Sequence, residues 1–426
     1  MRSWQMPLAF ATALALATPG AAQPAQEAVR AAAAREKAPL LDTLRDLVSV
    51  ESGSRDLDGL ARLAELIAGR LRALGGEVEL IDVGGAGMYR MEDTPERVGR
   101  AVRATFKGTG TRKILLIAHM DTVYLKGMGE KQPFRVEGDR AYGLAIADDK
   151  QGIAVILHAL AMLRDLGVRE YGTITVLVNA DEEISSPGSR KLLARLGAEH
   201  DATLSFEASR AESDKLSLAT AGIGSVTLSV TGKASHAGSA PHLGVNALYE
   251  LSHQILQTKD LSRPEDGVKL NWTLAQAGQN RNVIPPQARA QADVRVLRLA
   301  DYDGIETAVR ERIQNRLLPQ ATVEMLFERR RPPLEATPAS LALARHAQAI
   351  YRELGKELVV DEVAEGGGTD AAFAALETKN AVVERFGLQG FGAHSNEAEY
   401  VLVGSIEPRL YLAARLITDV ARGKAP

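Results

Sequence analysis

Five short stretches of this 426-residue chain bring acidic and imidazole side chains together. They are His119 with Asp121, Asp148-Asp149, Asp181-Glu182-Glu183, Glu207 and His394. Imidazole nitrogen and carboxylate oxygen are ligands that a divalent cation such as zinc accepts. The chain contains no cysteine, which excludes a thiol nucleophile, a disulfide and Cys-ligated zinc or iron–sulfur sites. Any metal must therefore be held by His, Asp and Glu. Taken singly, each stretch has a plainer reading. A strand-end Asp ordinarily caps a helix, adjacent glutamates ordinarily sit in a solvated loop, and a lone His ordinarily satisfies a turn. Together, two His and several carboxylates at strand or turn ends suffice for a two-metal site.

The elements that must position these residues are legible in the hydropathy pattern. Lys113 to Ala118 and Thr173 to Val178 are continuous apolar runs, the mark of strands buried on both faces of a mostly parallel sheet. Ala202 to Phe206 reads as a third such strand. His119, Glu182-Glu183 and Glu207 follow these three runs, and ligands of open α/β sheets bind outside the carboxyl ends of strands. Leu57 to Leu74 and Gly152 to Leu166 are helical by spacing, each ended by glycine. Near residue 220 the texture changes. Gly224–Thr231, Leu270–Ala277, Ala288–Leu297 and Ala321–Glu328 read as strands, and Leu243–Gln257 and Asp301–Leu317 as helices. After Arg331-Pro332-Pro333 the earlier style returns, with a helix over Ser340–Leu354 and a buried strand at Ala381–Glu384. The predicted class is α/β: a mostly parallel sheet with helices on both faces, interrupted by a smaller α+β domain. The boundaries are residues 23–219 and 333–426 for the main domain and 220–332 for the insert.

Composition narrows the function classes. The chain is 45% hydrophobic and 25% charged, in the globular range. Its net charge of −3 gives no basic face of the kind a nucleic-acid binder needs. Arg2, an apolar run over residues 7–17, the break Thr18-Pro19-Gly20 and the small pair Ala21-Ala22 read as a secretory signal peptide over residues 1–22. The run is too short for a membrane span. The expected location is periplasmic or secreted, with no stable membrane association.

Several segments resemble a known family. Ala118-His-Met-Asp-Thr-Val123, Ala147-Asp-Asp-Lys-Gln-Gly152 and Asp181-Glu-Glu183 are similar to signature segments of the co-catalytic zinc exopeptidases of the glutamate carboxypeptidase/aminoacylase family. Gly232-Lys-Ala-Ser-His-Ala-Gly238, Gly366-Gly-Gly-Thr-Asp-Ala371 and Asp121-Thr-Val-Tyr-Leu-Lys-Gly127 extend the likeness. It is strongest to the bacterial, folate-cleaving carboxypeptidase G type and covers nearly the whole chain in order.

The resemblance implies roles. His119, Asp148, Glu183, Glu207 and His394 would bind two Zn2+ per subunit, with Asp148 bridging. Glu182 would be the general base, and Asp121 would orient His119. His236 would stabilise the oxyanion, reaching the site from the partner subunit of a homodimer. Arg295 would clamp the substrate's terminal carboxylate, with Asn282 as a polar companion. Lys215 and Arg331 fall where the family carries basic pocket residues, though either could be a solvated surface charge. The implied reaction is hydrolysis of the amide to a C-terminal glutamate in folate-like or N-acyl-glutamate substrates. The alternative is a broader N-acyl-amino-acid amidohydrolase or dipeptidase. A non-catalytic peptide-binding relative is disfavoured because the ligands and Glu182 are all present. Two stretches depart from the family pattern: Ile184-Ser-Ser-Pro-Gly188 after Glu183, and Ala208-Ser-Arg210 after Glu207.

Overall fold

The computed structural model describes residues 26–395 and 399–425. The leader read over residues 1–22 lies outside the described residues. Ten strands build the two sheets that matter here: β1 (Glu77–Ile81), β2 (Ala101–Lys107), β3 (Lys113–His119), β4 (Thr173–Asn179), β5 (Ala202–Ser205), β6 (Gly222–Thr231), β7 (Lys269–Ala277), β8 (Gln287–Val296), β9 (Thr322–Arg331) and β10 (Ala381–Val383). The larger, six-stranded sheet has the order β1-β2-β4-β3-β5-β10. Its β4-β3-β5-β10 part is parallel, and the β1–β2 and β2–β4 pairs are antiparallel.

The apolar run of β3 has a direct physical reason. Side chains alternate across a strand. Ile114, Leu116 and Ala118 therefore join the core beneath helices α1 (Glu27–Val48), α2 (Leu57–Ala73), α3 (Gln151–Asp165), α7 (Pro338–Glu353) and α8 (Ile406–Ala421). Leu115 and Ile117 join the opposite core, with Leu192, Leu193 and Leu196 of α4 (Arg190–Glu199). Both faces are covered, as the unbroken apolar run requires. Among the described residues no helix is long and apolar enough to cross a membrane.

Between β5 and β10 the chain builds a four-stranded sheet of order β7-β8-β6-β9, antiparallel throughout. Helices α5 (Ala247–Thr258) and α6 (Asp301–Arg312) contribute Leu251, Ile305 and Val309 to a separate core with Val226, Leu228, Ala290 and Val294.

Three element ends differ from the sequence reading by three residues or more. Helix α5 starts at Ala247 rather than Leu243, because Asn246 Oδ1 accepts from the amides of Leu248 and Tyr249 and sets the cap there. Helix α6 ends at Arg312 rather than Leu317: Arg316 folds back, and its Nε donates to the Ile313 carbonyl at 2.8 Å. Strand β9 runs three residues beyond Glu328, through Arg329, Arg330 and Arg331, because each arginine finds a carboxylate.

Candidate active site

The site forms where β3, β4 and β5 end. His119 is the last residue of β3, and Glu182-Glu183 and Glu207 lie just beyond β4 and β5. Asp148 sits in the irregular turn Ile146–Lys150 that opens α3. His394 lies in the turn after Phe391, at a left-handed φ of 63°. A non-glycine residue in that region is uncommon, and such backbones cluster at functional sites.

These residues converge as two groups of three. His119, Asp148 and Glu207 form one, and Asp148, Glu183 and His394 the other; within each group the ligand atoms lie within 4.8 Å of one another. His119 Nε2 is 3.0 Å from Asp148 Oδ1 and 3.2 Å from Glu207 Oε1. His394 Nε2 is 3.2 Å from Asp148 Oδ2 and 3.1 Å from Glu183 Oε2. Asp148 thus gives one oxygen to each group. Ligands about 2.0–2.2 Å from a tetrahedral ion stand about 3.3–3.6 Å from each other, close to these separations. Glu183 Oε1 is buried with no hydrogen-bond partner, and a buried unpaired acceptor calls for a cation or donor. The donor set fits a metal.

The electrostatics agree. Burial opposes charge on His119, yet hydrogen bonds to Asp121, Asp148 and Glu207 push its pKa well above the ordinary imidazole value. Hydrogen bonds to Asp148 and Glu183 push His394 up to about 11. Burial, then the Asp148 charge, pushes Glu183 up to about 7. The cluster is a concentration of negative charge that demands positive charge.

Asp121 has a wider role than expected. Its backbone carbonyl is the nearest partner of His119 Nδ1, at 3.0 Å, with its carboxylate Oδ1 at 3.5 Å. The carboxylate instead receives the amides of Glu182 at 3.0 Å and Glu183 at 3.1 Å, and the Ser54 hydroxyl at 2.8 Å. One buried side chain therefore fixes the backbone of both glutamates.

Sequence reasoning missed Glu399. Its buried carboxylate accepts from the amides of Ala145 (3.1 Å), Ala147 (2.7 Å) and Asp148 (3.0 Å). Tyr124 Oη lies 2.6 Å from Glu399 and 2.9 Å from the Ser395 carbonyl, next to His394. No spacing rule could have found a lone glutamate whose partners lie some 250 residues away.

The five residues assigned to the oxyanion and the substrate divide. His236 and Asn282 are exposed and sit together on the insert, where His236 pairs with Val283 and the Ala237 amide donates to the Asn282 carbonyl. No described contact joins them to the acid–imidazole cluster. His236 Nδ1 accepts from the amides of Gly238 and Ser239, which leaves Nε2 as the donating nitrogen. Arg295 is half-buried against Asp293 and donates to the Gly366 carbonyl at 2.9 Å. Lys215 and Arg331 correct the solvated-charge reading. Lys215 is buried, 2.6 Å from Asp361 and 2.5 Å from Glu365. Arg331 is 4% exposed, between Glu182 and Asp370. A buried cation must be paired, and in both cases the partners are distant in sequence. Arg295, Lys215 and Arg331 all meet the loop over residues 365–370.

Comparison with known proteins gives a consistent result. Residues 115–419 match the peptidase family M20/M25/M40. Carboxypeptidase G2 of Pseudomonas sp. (strain RS-16) is 47% identical over 393 residues, covering 92% of each chain. The fold is similar to an aminopeptidase from Bacillus cereus, with a TM-score of 0.74 at 20% identity, covering 90% of this chain and 99% of that one. It is also similar to an M20 family metallo-carboxypeptidase from Sulfolobus solfataricus, with a TM-score of 0.71 at 15% identity and coverage of 90% and 99%.

Proposed function

Because the chain belongs to peptidase family M20/M25/M40, we propose that this metallocarboxypeptidase holds two zinc ions and releases C-terminal glutamate from N-acyl or folate-like conjugates. The observation that carries the reaction is the sharing of Asp148 between two ligand groups, one of which contains Glu183, the chain neighbour of Glu182. His119, Glu207 and Asp148 would hold one ion, and His394, Glu183 and Asp148 the other. Zinc bound there supplies Lewis acidity, which polarises the scissile carbonyl and acidifies water. Glu182 accepts the proton of the attacking water as the C–O bond forms. It returns that proton to the amide nitrogen as the C–N bond breaks, giving a free amine and a carboxylic acid that loses its remaining proton to the amine or solvent.

The glutamate reading rests on cations. Arg295 and Lys215 meet one loop, each held by a carboxylate or carbonyl of the chain that a substrate carboxylate would replace. A groove of about 500 Å3 opens beside Glu183, bounded by Val123, Tyr124, Leu125 and Ile184, and would take an apolar acyl group. The test is a panel of folate, aminobenzoyl-glutamate, acetyl-amino acids and dipeptides, with and without chelator. Glutamate conjugates should turn over fastest, and chelator should stop all turnover. Faster release of neutral amino acids would establish the broader amidohydrolase instead.

No described contact brings His236 to its own cluster, so the proposal includes a homodimer in which the partner subunit's His236 donates to the oxyanion. Support comes from β7, which among the described residues is an edge strand of its sheet, and from exposed Leu248, Tyr249, Leu256 and Leu274 on the same insert. His236→Ala and Glu182→Gln should each be nearly inactive, and mixing the two after subunit exchange should restore activity. No restoration in a verified mixed dimer would refute the shared site.

A further inference from the structure

We infer that Arg331 is a positioning residue for Glu182 rather than an anchor for the substrate carboxylate, and that Asp370 holds Arg331 in that role. The inference rests on Glu182 being the base. Arg331 is the last residue of β9, so the insert's sheet delivers it to the main domain. Its Nη1 is 2.9 Å from Glu182 Oε1 and 2.9 Å from Asp370 Oδ1. Its Nη2 donates to the Glu182 backbone carbonyl at 2.6 Å. The guanidinium therefore grips Glu182 at both side chain and main chain, a two-point hold that a planar fork can make and an ammonium cannot.

Asp370 is fixed in turn. Asn179 Nδ2 donates to its Oδ2 at 2.6 Å, and the Ser186 hydroxyl donates to its Oδ1. Ser186 lies in the loop that departs from the family pattern, and this contact gives that loop a purpose. Gly368 closes the arrangement: a Cβ there would fall 2.5 Å from Arg331 Cδ. The Arg331 backbone is tied down as well, its carbonyl accepting from Tyr302 Oη at 2.6 Å. With 4% exposure and both terminal nitrogens engaged by Glu182 and Asp370, Arg331 presents no exposed face to a substrate carboxylate. Breaking the pair would leave Glu182 and Asp370 buried without their countercharge.

The test compares Arg331→Met, Arg331→Lys and Asp370→Asn on a glutamate-terminated and an alanine-terminated acyl substrate, in wild-type and Glu182→Gln backgrounds. Bound metal is measured by elemental analysis, and folding by thermal melt. Arg331→Met and Asp370→Asn should lower kcat by on the order of 10²-fold, the cost of a misplaced reacting group. The loss should be equal for both substrates, with KM within about threefold and metal content unchanged. In the Glu182→Gln background they should add nothing. Arg331→Lys keeps the charge without the fork and should recover only part of the loss. If Arg331→Met fails to fold, Asp370→Asn and Arg331→Lys carry the comparison. A KM rise confined to the glutamate substrate, or a further loss in the Glu182→Gln background, would make Arg331 a substrate anchor. Glu182→Gln at wild-type kcat would instead remove the base assignment on which the inference stands.

Discussion

Glu182→Gln should lower kcat by about 10²–10⁴-fold, the range of a positioned general base, while the protein keeps its metal and its fold. Glutamine has the shape of glutamate but cannot take a proton. Glu182 precedes the proposed ligand Glu183 without belonging to either candidate ligand group, so its replacement should leave every proposed ligand in place. Its backbone amide still bonds Asp121, and its carbonyl still receives Arg331. Single-turnover hydrolysis alongside elemental analysis separates the two effects. Undiminished turnover would end the assignment of Glu182, and lost metal would make it a ligand.

Asp148→Asn should do the opposite: strip the metal and abolish activity in a protein that still folds. Asp148 is the one residue common to both groups, with an oxygen 3.0 Å from His119 and another 3.2 Å from His394. An amide offers one neutral oxygen and one NH2, so one group loses its ligand and the other its charge. Losing a partner that only supports a ligand commonly costs 10–100-fold in metal affinity, and losing a shared ligand should cost more than about 100-fold. In the metal-free cluster the Asp148 carboxylate is a charge-assisted partner of both His119 and His394, so the variant apoprotein should melt below wild-type apoprotein. Dialysis followed by elemental analysis checks the first expectation and calorimetry the second. A variant that keeps wild-type metal content would refute the bridging role.

The residues that make these predictions possible were readable to different depths. The apolar runs of β3, β4 and β5 fixed where His119, Glu182, Glu183 and Glu207 would emerge, because burial on both faces leaves a strong signature in any order of strands. The cap at Asn246 was also present in the sequence, but a run beginning at Leu243 masked it. Lys215, Arg331 and Asp370 were harder. A basic side chain tells nothing about its burial until its counter-ions are known. Those of Lys215 lie some 150 residues away, at Asp361 and Glu365, and those of Arg331 at Glu182 and Asp370. Asp370 stood in a recognisable glycine-rich segment, yet nothing local marked it as the support of an arginine. Glu399 had no local mark at all.

A carboxylate at the opening of a helix is ordinarily consumed by the free amides there. At the head of α3 that duty falls to a residue from the far end of the chain. Glu399 takes the Ala147 and Asp148 amides, so the main chain makes no claim on the Asp148 side chain. Both of its oxygens are left to serve guests instead of the helix.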